Sequence, residues 1–343
     1  MRFAAITAIL LVFLIPSTPS LPAGNPRYAV AVLPTPVINS PDFSRIFGGQ
    51  NGDSLQLDPC GQIRELEFIA IPGSVFHIES AIKEKRAVVY RVTTDEYPYP
   101  TGKGYFIDAR FVKTTDAMPP LRERRLPSRS AVLANLLAAQ GSKYVWGGNF
   151  HRGIPQMLAM FPPQTGRPIP EETGKHWQLR GVDCSGLLYE ATGGYTPRNT
   201  SALINYGSPV KIAGLNADQL VKKVEPLDLI VWNGHVMIIL DRERVIESRL
   251  DCGGNNGGVK VRPAQRSGQV DGRGDPQPPN DGDLEDPCLC AGQDRRANAP
   301  AAEEHQQERA EELSRKPPWQ RPHAATPVKR CVGIGLPGRK CSR

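Results

Sequence analysis

A cysteine, a histidine and a glutamate occur along this chain in an order that suits nucleophilic catalysis. Cys184 stands between Asp183 and Ser185, two short polar residues that cap helix N-termini, and good helix formers follow it. A thiol in the first turn of a helix faces unpaired N–H groups, which lower its pKa from about 8.5 toward roughly 3.5–7.5. The pattern therefore predicts a reactive thiolate at Cys184, with a small buried hydrophobic residue as the alternative.

His235 and Glu247 supply the other two groups. Two apolar stretches flank Asn233-Gly234, which predicts a hairpin with His235 at the start of its second strand. Glu247 lies on the next predicted strand, where contact with His235 across the sheet is feasible. His235 would take the thiol proton and later protonate the leaving amine, and Glu247 would orient the imidazole. The backbone N–H of Cys184 would stabilise the oxyanion.

Several ordered motifs around these residues resemble the NlpC family of bacterial cell-wall cysteine peptidases, over roughly residues 128 to 262. The motifs are Asp183-Cys184-Ser185-Gly186-Leu187, Tyr144-x-Trp146-Gly147-Gly148, Pro197-Arg198 and Gly234-His235-Val236. The resemblance implies a papain-like α+β fold, with the catalytic cysteine on a helix packed against an antiparallel sheet. It also implies cleavage of peptidoglycan stem peptides or muropeptides between D-γ-glutamate and a diamino acid such as diaminopimelate.

The resemblance further implies a set of substrate-binding residues. Tyr144 and Trp146 would lie beside the site, and Asp183 and Ser185 would hold the polar end of the substrate. Arg198 is included because it can pair a carboxylate, although a surface position is the default for an arginine.

The sequence departs from the family pattern at four places. Glu247 stands where histidine is frequent, Leu227 where glycine is common, and Met237 where a smaller residue is usual. The stretch from Phe150 to Arg180 is longer than typical and shows no sustained period, which predicts a long ordered loop. We hypothesise that this loop is a lid that restricts access to short, uncrosslinked muropeptides.

The remaining segments predict where the protein is located and how its domains are arranged. Residues 1–23 have the pattern of a secretory signal peptide, with a retained membrane anchor as the alternative. A signal peptide implies export to the periplasm or cell surface and no stable membrane insertion after cleavage. Residues 27–115 carry short strands broken by Gly and Pro, which predict a small all-β barrel, and Gly104 to Val112 resembles the end of bacterial SH3-like domains. The last three predicted segments are a linker (116–128), the peptidase domain (129–262) and a low-complexity tail (263–343) expected to be disordered.

Composition limits which partners and cofactors can be expected. The formal net charge of +7 suits an anionic surrounding such as a cell wall, but no basic stripe with interleaved aromatics predicts a nucleic-acid partner. If Cys184 is kept free, six of the seven cysteines remain, and the sequence does not choose among their possible disulfide pairings. No convincing metal or nucleotide motif occurs, so we expect no cofactor.

Two alternatives stay open. The same fold group includes acyltransferases and deamidases, which keep Cys184 and His235 but act on a lipid or a side-chain amide. The second alternative is a catalytically silent wall-binding protein. The aromatic Gly-Gly motif and the exported two-domain arrangement favour the peptidase, and the presence of both Cys184 and His235 disfavours the silent protein.

Overall fold

The computed structural model describes residues 26–264, except 85–86, 165–167, 212–214, 233 and 255. The predicted signal peptide and nearly all of the predicted tail lie outside the described residues. Within the described part, no helix is both long and apolar enough to cross a membrane. The chain divides into two compact units, one formed by residues up to 41 with 70–122, the other by 42–69 with the residues from 123 onward.

The described residues form a mixture of short helices and antiparallel strands. The strands are β1 (Tyr28–Ala31), β2 (Thr35–Ile38), β3 (Leu66–Ala70), β4 (Val75–Lys83), β5 (Val88–Thr93), β6 (Tyr105–Asp108), β7 (Val112–Thr115), β8 (Asn149–Phe150), β9 (Gly181–Val182), β10 (Leu229–Trp232), β11 (His235–Ile239), β12 (Arg244–Arg249) and β13 (Gly258–Pro263). The helices are α1 (Phe43–Ile46), α2 (Arg129–Ala138), α3 (Gln156–Met160), α4 (Glu171–Trp177), α5 (Cys184–Ala191), α6 (Thr200–Leu203) and α7 (Ala217–Lys223). A single 3-10 turn, Ala109–Phe111, separates β6 from β7.

The first unit is built on antiparallel strands. Neighbours in its sheet follow the order β2-β6-β5-β4-β1-β7, and Tyr28 of β1 lies opposite both His77 of β4 and Thr115 of β7. The sequence does not predict β2, because Pro34 and Pro36 indicate a turn rather than a strand. Among the described residues the pairings form an open series, which differs from the closed barrel that the sequence predicts.

The second unit packs α2 and α5 against the antiparallel sheet β10-β11-β12-β13. Helix α2 begins after Ser128, whose Oγ accepts the main-chain N–H of Ala131 at 3.3 Å. The shared core consists of buried aliphatic side chains of both helices and the sheet: Val132, Leu136, Leu187, Leu188, Val236, Ile238, Ile246 and Val259. Burial of this apolar surface holds the start of α5 against the strands that carry His235 and Glu247.

The segment 42–69 is part of the second unit, although the sequence predicts it as part of the β domain. The ring of Phe47 packs on that of Phe161 with centroids 5.3 Å apart. Cys60 forms a disulfide with Cys252, a pairing that the sequence leaves open. Strand propensity does not indicate which core a segment will join, so the sequence alone could not assign this one.

The stretch from Phe150 to Arg180 contains the helices α3 and α4, so the prediction of a loop without secondary structure is wrong. These helices have only 5 and 7 residues, too few to show a helical period between their Pro and Gly neighbours. Trp177 at the end of α4 is fully buried, and its indole N–H donates to the carbonyl of Phe161 at 2.8 Å. The role of this stretch as a lid stays a prediction.

Leu227 occupies a backbone conformation that favours glycine. Its φ is +74°, in the left-handed region that costs an L-residue about 1–2 kcal/mol, while its side chain is buried. We expect Leu227→Gly to have a higher free energy of unfolding than Leu227→Ala, by about 1 kcal/mol, because both lose the side chain but only glycine relieves the backbone.

Leu188, in the middle of α5, provides the matched control for this prediction. Its helical backbone favours alanine over glycine, so Leu188→Ala should be more stable than Leu188→Gly by about 1 kcal/mol. Urea denaturation of the four variants measures both differences. If alanine were the more stable replacement at both positions, the strain assigned to Leu227 would be absent.

Candidate active site

Cys184 is the first residue of α5, as the sequence predicts. Asp183 is the N-cap, and its Oδ1 accepts the main-chain N–H of Gly186 at 2.6 Å and the hydroxyl of Ser185 at 3.2 Å. Gly186 is needed here because a Cβ at this position would collide with the carbonyl oxygen of Gly148. The helix start is therefore fixed by its cap and by close backbone contact.

The thiol of Cys184 is free and buried. It donates to the carbonyl of Gly234, with Sγ 3.7 Å from the oxygen. Burial, reinforced by the charge of Asp183, raises the pKa of Cys184 to about 12, against the opposing effects of Arg198 and nearby backbone N–H groups. The lowered pKa that the sequence predicts is wrong, because loss of solvation outweighs the helix N-terminus. The thiol is neutral at neutral pH.

His235 and Glu247 are hydrogen bonded across the sheet. Nε2 of His235 lies 2.7 Å from Oε2 of Glu247, whose side chain is 4% exposed. Arg262 Nε lies 2.6 Å from the other carboxylate oxygen. Burial by itself raises the pKa of Glu247. The hydrogen bond from His235 and nearby positive charges lower it by more than burial raises it, so the net pKa is below the usual value. Nε2 therefore donates to an ionised carboxylate, which leaves Nδ1 to accept a proton.

The Cys184 thiol lies at the start of β11. Gly234, whose carbonyl accepts the Cys184 thiol, directly precedes His235. On β12 the hydroxyl of Ser248 donates to the carbonyl of Val182 at 2.6 Å, which ties that strand to the residues just before α5. Among the described residues no hydrogen bond joins the thiol to the imidazole, so proton transfer requires the thiol to turn from Gly234 toward His235.

Arg198 is buried with only 1% of its side chain exposed, so the default surface position is wrong. Its guanidinium holds the Asp183 carboxylate through two bonds of 2.9 and 2.7 Å. It also donates to Ser185 Oγ at 3.0 Å, the Gly148 carbonyl at 3.1 Å and Asn149 Oδ1 at 3.2 Å. Asp183, Ser185 and Arg198 are thus brought together and contact one another, an arrangement that holds the helix start. Their roles in substrate binding stay predictions.

Tyr144 and Trp146 lie on the segment that precedes β8. Burial raises the pKa of Tyr144 well above its usual value, and the charges of Asp183 and Cys184 raise it further. The phenol of Tyr144 is therefore protonated at neutral pH. Trp146 is 38% exposed, and its main-chain N–H donates to Gln62 Oε1 at 2.9 Å.

Sequence reasoning missed three residues near the site. Arg262 lies two positions from Lys260, the register partner of Glu247, so strand alternation could have placed it on the same face. Gln62 and Arg64 come from the segment 42–69, and no sequence signal connected them with Trp146.

The described residues contain no group of three or more His, Cys, Asp or Glu side chains placed to hold a metal ion.

Similarity to known proteins is found among solved structures. No protein-family model matches this chain, and no curated protein sequence matches it. Among solved structures, an NlpC/P60 family protein from Bacillus cereus ATCC 10987 is similar at 15% identity and a TM-score of 0.28. The match covers 70% of this chain and 58% of that one, so this chain spans less than two thirds of its neighbour. A likeness this distant does not assign the chain to that family.

Proposed function

We propose that this protein is a cysteine peptidase of NlpC type that cleaves peptidoglycan stem peptides or muropeptides between D-γ-glutamate and a diamino acid. The observation that carries the chemistry is the 2.7 Å hydrogen bond between His235 Nε2 and Glu247, beside the helix that begins at the free thiol of Cys184. The ordered motifs around these residues support the substrate class. The proposal includes a papain-like second unit, an SH3-like first unit and export to the periplasm or cell surface.

The first half of the reaction forms an acyl-enzyme. Because the thiol is neutral at neutral pH, its proton moves to Nδ1 of His235 as Sγ of Cys184 attacks the scissile carbonyl carbon. The ionised carboxylate of Glu247 stabilises the resulting imidazolium. The oxyanion is held by the main-chain N–H of Cys184, one of the first-turn amides that have no partner within a helix.

The second half releases both products. The imidazolium of His235 gives its proton to the leaving amine of the diamino acid, and the C–N bond breaks to leave a thioester on Cys184. A water molecule then transfers a proton to His235 and attacks the thioester carbonyl. Collapse of the resulting tetrahedral intermediate releases the γ-glutamyl carboxylic acid, and the proton returns from His235 to the thiolate.

Mass spectrometry of the products tests this function. Purified protein from residue 25 onward is incubated with defined stem peptides and muropeptides, beside the Cys184→Ala variant. We expect two fragments separated after the γ-glutamyl residue with the wild type and none with the variant. A deamidase would leave the peptide chain intact, an acyltransferase would join an acyl group to an acceptor, and a wall-binding protein would change no mass. Any of these outcomes would overturn the peptidase proposal.

Glu247→Gln is expected to lower kcat by about 10- to 100-fold. Glutamine keeps an acceptor for Nε2 but loses the charge that stabilises the imidazolium, and hydrogen bonds to charged groups contribute about 1.5–3 kcal/mol. Initial rates on the stem peptide at saturating substrate measure the change.

Glu190 offers a matched control for this variant. Its Oε1 lies 2.8 Å from His151 Nδ1, which forms a second histidine–carboxylate pair in the same unit. Glu190→Gln should leave kcat within about 2-fold of the wild type. Equal losses in both variants would mean that the Glu247 carboxylate has only a structural effect.

A further inference from the structure

Arg64 lies beside the candidate site on the segment 42–69. Its guanidinium carbon is 4.3 Å from the ring centre of Trp146, which lies two residues after Tyr144. The neighbouring Gln62 accepts the main-chain N–H of Trp146 at 2.9 Å, and the disulfide between Cys60 and Cys252 attaches the segment to the β12–β13 connection. An arginine from outside the predicted peptidase domain is therefore fixed against a predicted substrate-binding residue.

The orientation of the Arg64 head group is set by Asp58. Arg64 Nε donates to Asp58 Oδ2 at 2.5 Å. The other oxygen of Asp58 accepts the main-chain N–H groups of Cys60 and Gln62, each at 2.8 Å. Burial by itself raises the pKa of Asp58, but these hydrogen bonds and Arg64 give a net pKa below the usual value, so the pair is ionic at neutral pH.

The outer edge of the guanidinium is available to a ligand. Among the described residues, the hydrogen bonds of Arg64 use only Nε, and its side chain is 29% exposed. The two terminal nitrogens of an arginine form a rigid fork that matches a carboxylate. Stacking on Trp146 limits rotation of that fork, so less freedom is lost when an anion binds.

The turn that carries Trp146 leads to the start of α5. The carbonyl of Gly148, two residues after Trp146, accepts the main-chain N–H of Asp183 at 3.0 Å, and Asp183 directly precedes Cys184. The guanidinium of Arg64 is therefore stacked on the same turn that contacts the start of the nucleophile's helix. A peptide bound over Tyr144 toward Cys184 would place a neighbouring acidic group near Arg64.

We propose that Arg64 binds a carboxylate of the substrate and makes this site selective for acidic stem peptides. This inference rests on the proposed peptidase function and adds a specificity residue from a segment outside the predicted peptidase domain. A γ-glutamyl linkage leaves the α-carboxylate of the glutamate free, and the diamino acid carries a further carboxyl group, so the proposed substrate class supplies the anion.

The test compares two peptides that differ only in charge. One stem peptide keeps its carboxylates, and the other has all of them converted to primary amides. With the wild type we expect KM for the acidic peptide to be about 10- to 100-fold below that for the amide, the range expected for hydrogen bonds to a charged group. Arg64→Gln should raise KM for the acidic peptide to nearly that of the amide, with kcat unchanged. Arg64→Lys, which keeps the charge but loses the fork, should give an intermediate KM.

A purely structural role would give a different pattern. If Arg64 only supports Trp146, Arg64→Gln will change KM or kcat equally for both peptides, which would overturn the proposal. Arg244→Gln is the matched control, since Arg244 is also held by an aspartate through Nε, at 2.8 Å, and its side chain is 54% exposed. This variant should keep the preference for the acidic peptide.

Binding to Cys184→Ala separates this inference from the proposed function. Calorimetric titration of that variant with the two peptides reports affinity without turnover. A preference for the acidic peptide that disappears in Cys184→Ala/Arg64→Gln would support the Arg64 proposal even if the wild type cleaved neither peptide. Equal affinity for the two peptides would contradict it even if the wild type cleaved both.

Discussion

Arg198→Leu is expected to lower the free energy of unfolding by about 3–5 kcal/mol, because it leaves the Asp183 carboxylate buried without its cation. The arginine side chain is 1% exposed and that of Asp183 is 12% exposed, so water cannot replace the lost hydrogen bonds. The same change removes donors from Ser185 and from the Gly148 carbonyl. Chemical denaturation of the wild type and the variant measures the loss.

Two further variants test the cause of this loss. Arg244→Leu breaks an exposed ion pair with Asp241 and should cost no more than about 1 kcal/mol. In Asp183→Asn the side chain can still cap α5 but carries no charge. The double variant Arg198→Leu/Asp183→Asn should therefore recover part of the stability lost in Arg198→Leu. If Arg198→Leu cost no more than Arg244→Leu, the buried pair would not be what holds the helix start.

Alkylation of Cys184 is expected to be slow at neutral pH. With its pKa raised to about 12, the thiolate fraction at neutral pH is about 3,000-fold smaller than for an unfolded cysteine with a pKa near 8.5. The greater nucleophilicity of a high-pKa thiolate offsets only part of this difference, so the folded protein should react at least about 10-fold more slowly. The rate should rise about tenfold per pH unit to beyond pH 9, because the thiolate fraction is still increasing there.

Iodoacetamide labelling from about pH 6 to pH 10, followed by peptide mass spectrometry, measures the alkylation rate of Cys184 separately from the rates of the cysteines outside the described residues. The control is the same peptide from protein unfolded in urea, whose rate should level off above about pH 8.5. A rate that levels off at about pH 7 in the folded protein would mean that the helix N-terminus outweighs burial.

Local patterns predicted the parts of this site because the relevant forces act over a few residues. Asp183 before Cys184 indicated a helix start, and α5 begins there. The apolar stretches around Asn233-Gly234 indicated a hairpin, and β10 and β11 pair with Trp232 opposite His235. Glu247 was placed on the following strand, where its carboxylate meets the imidazole.

The properties that the sequence did not predict depend on long-range packing. The pKa of Cys184 is set by how much of the chain surrounds it, which the local helix pattern does not contain. Arg198 is buried because Asp183, Ser185 and Asn149 converge on it from other parts of the chain. The segment 42–69 joins the second unit through tertiary contacts and a disulfide whose partners are 192 residues apart.

If Cys184 is the nucleophile, the reaction passes through an acyl-enzyme on its sulfur, and that adduct can be detected. Wild-type protein is mixed with a stem peptide, quenched in acid at a series of times and digested. The mass of the peptide that contains Cys184 is then measured by mass spectrometry. We predict an added mass equal to the peptide up to and including the γ-glutamyl residue, removed by hydroxylamine, and neither adduct nor products with Cys184→Ala. Products that form at the wild-type rate in Cys184→Ala, with no adduct on the wild-type Cys184 at any time, would mean that Cys184 is not the nucleophile.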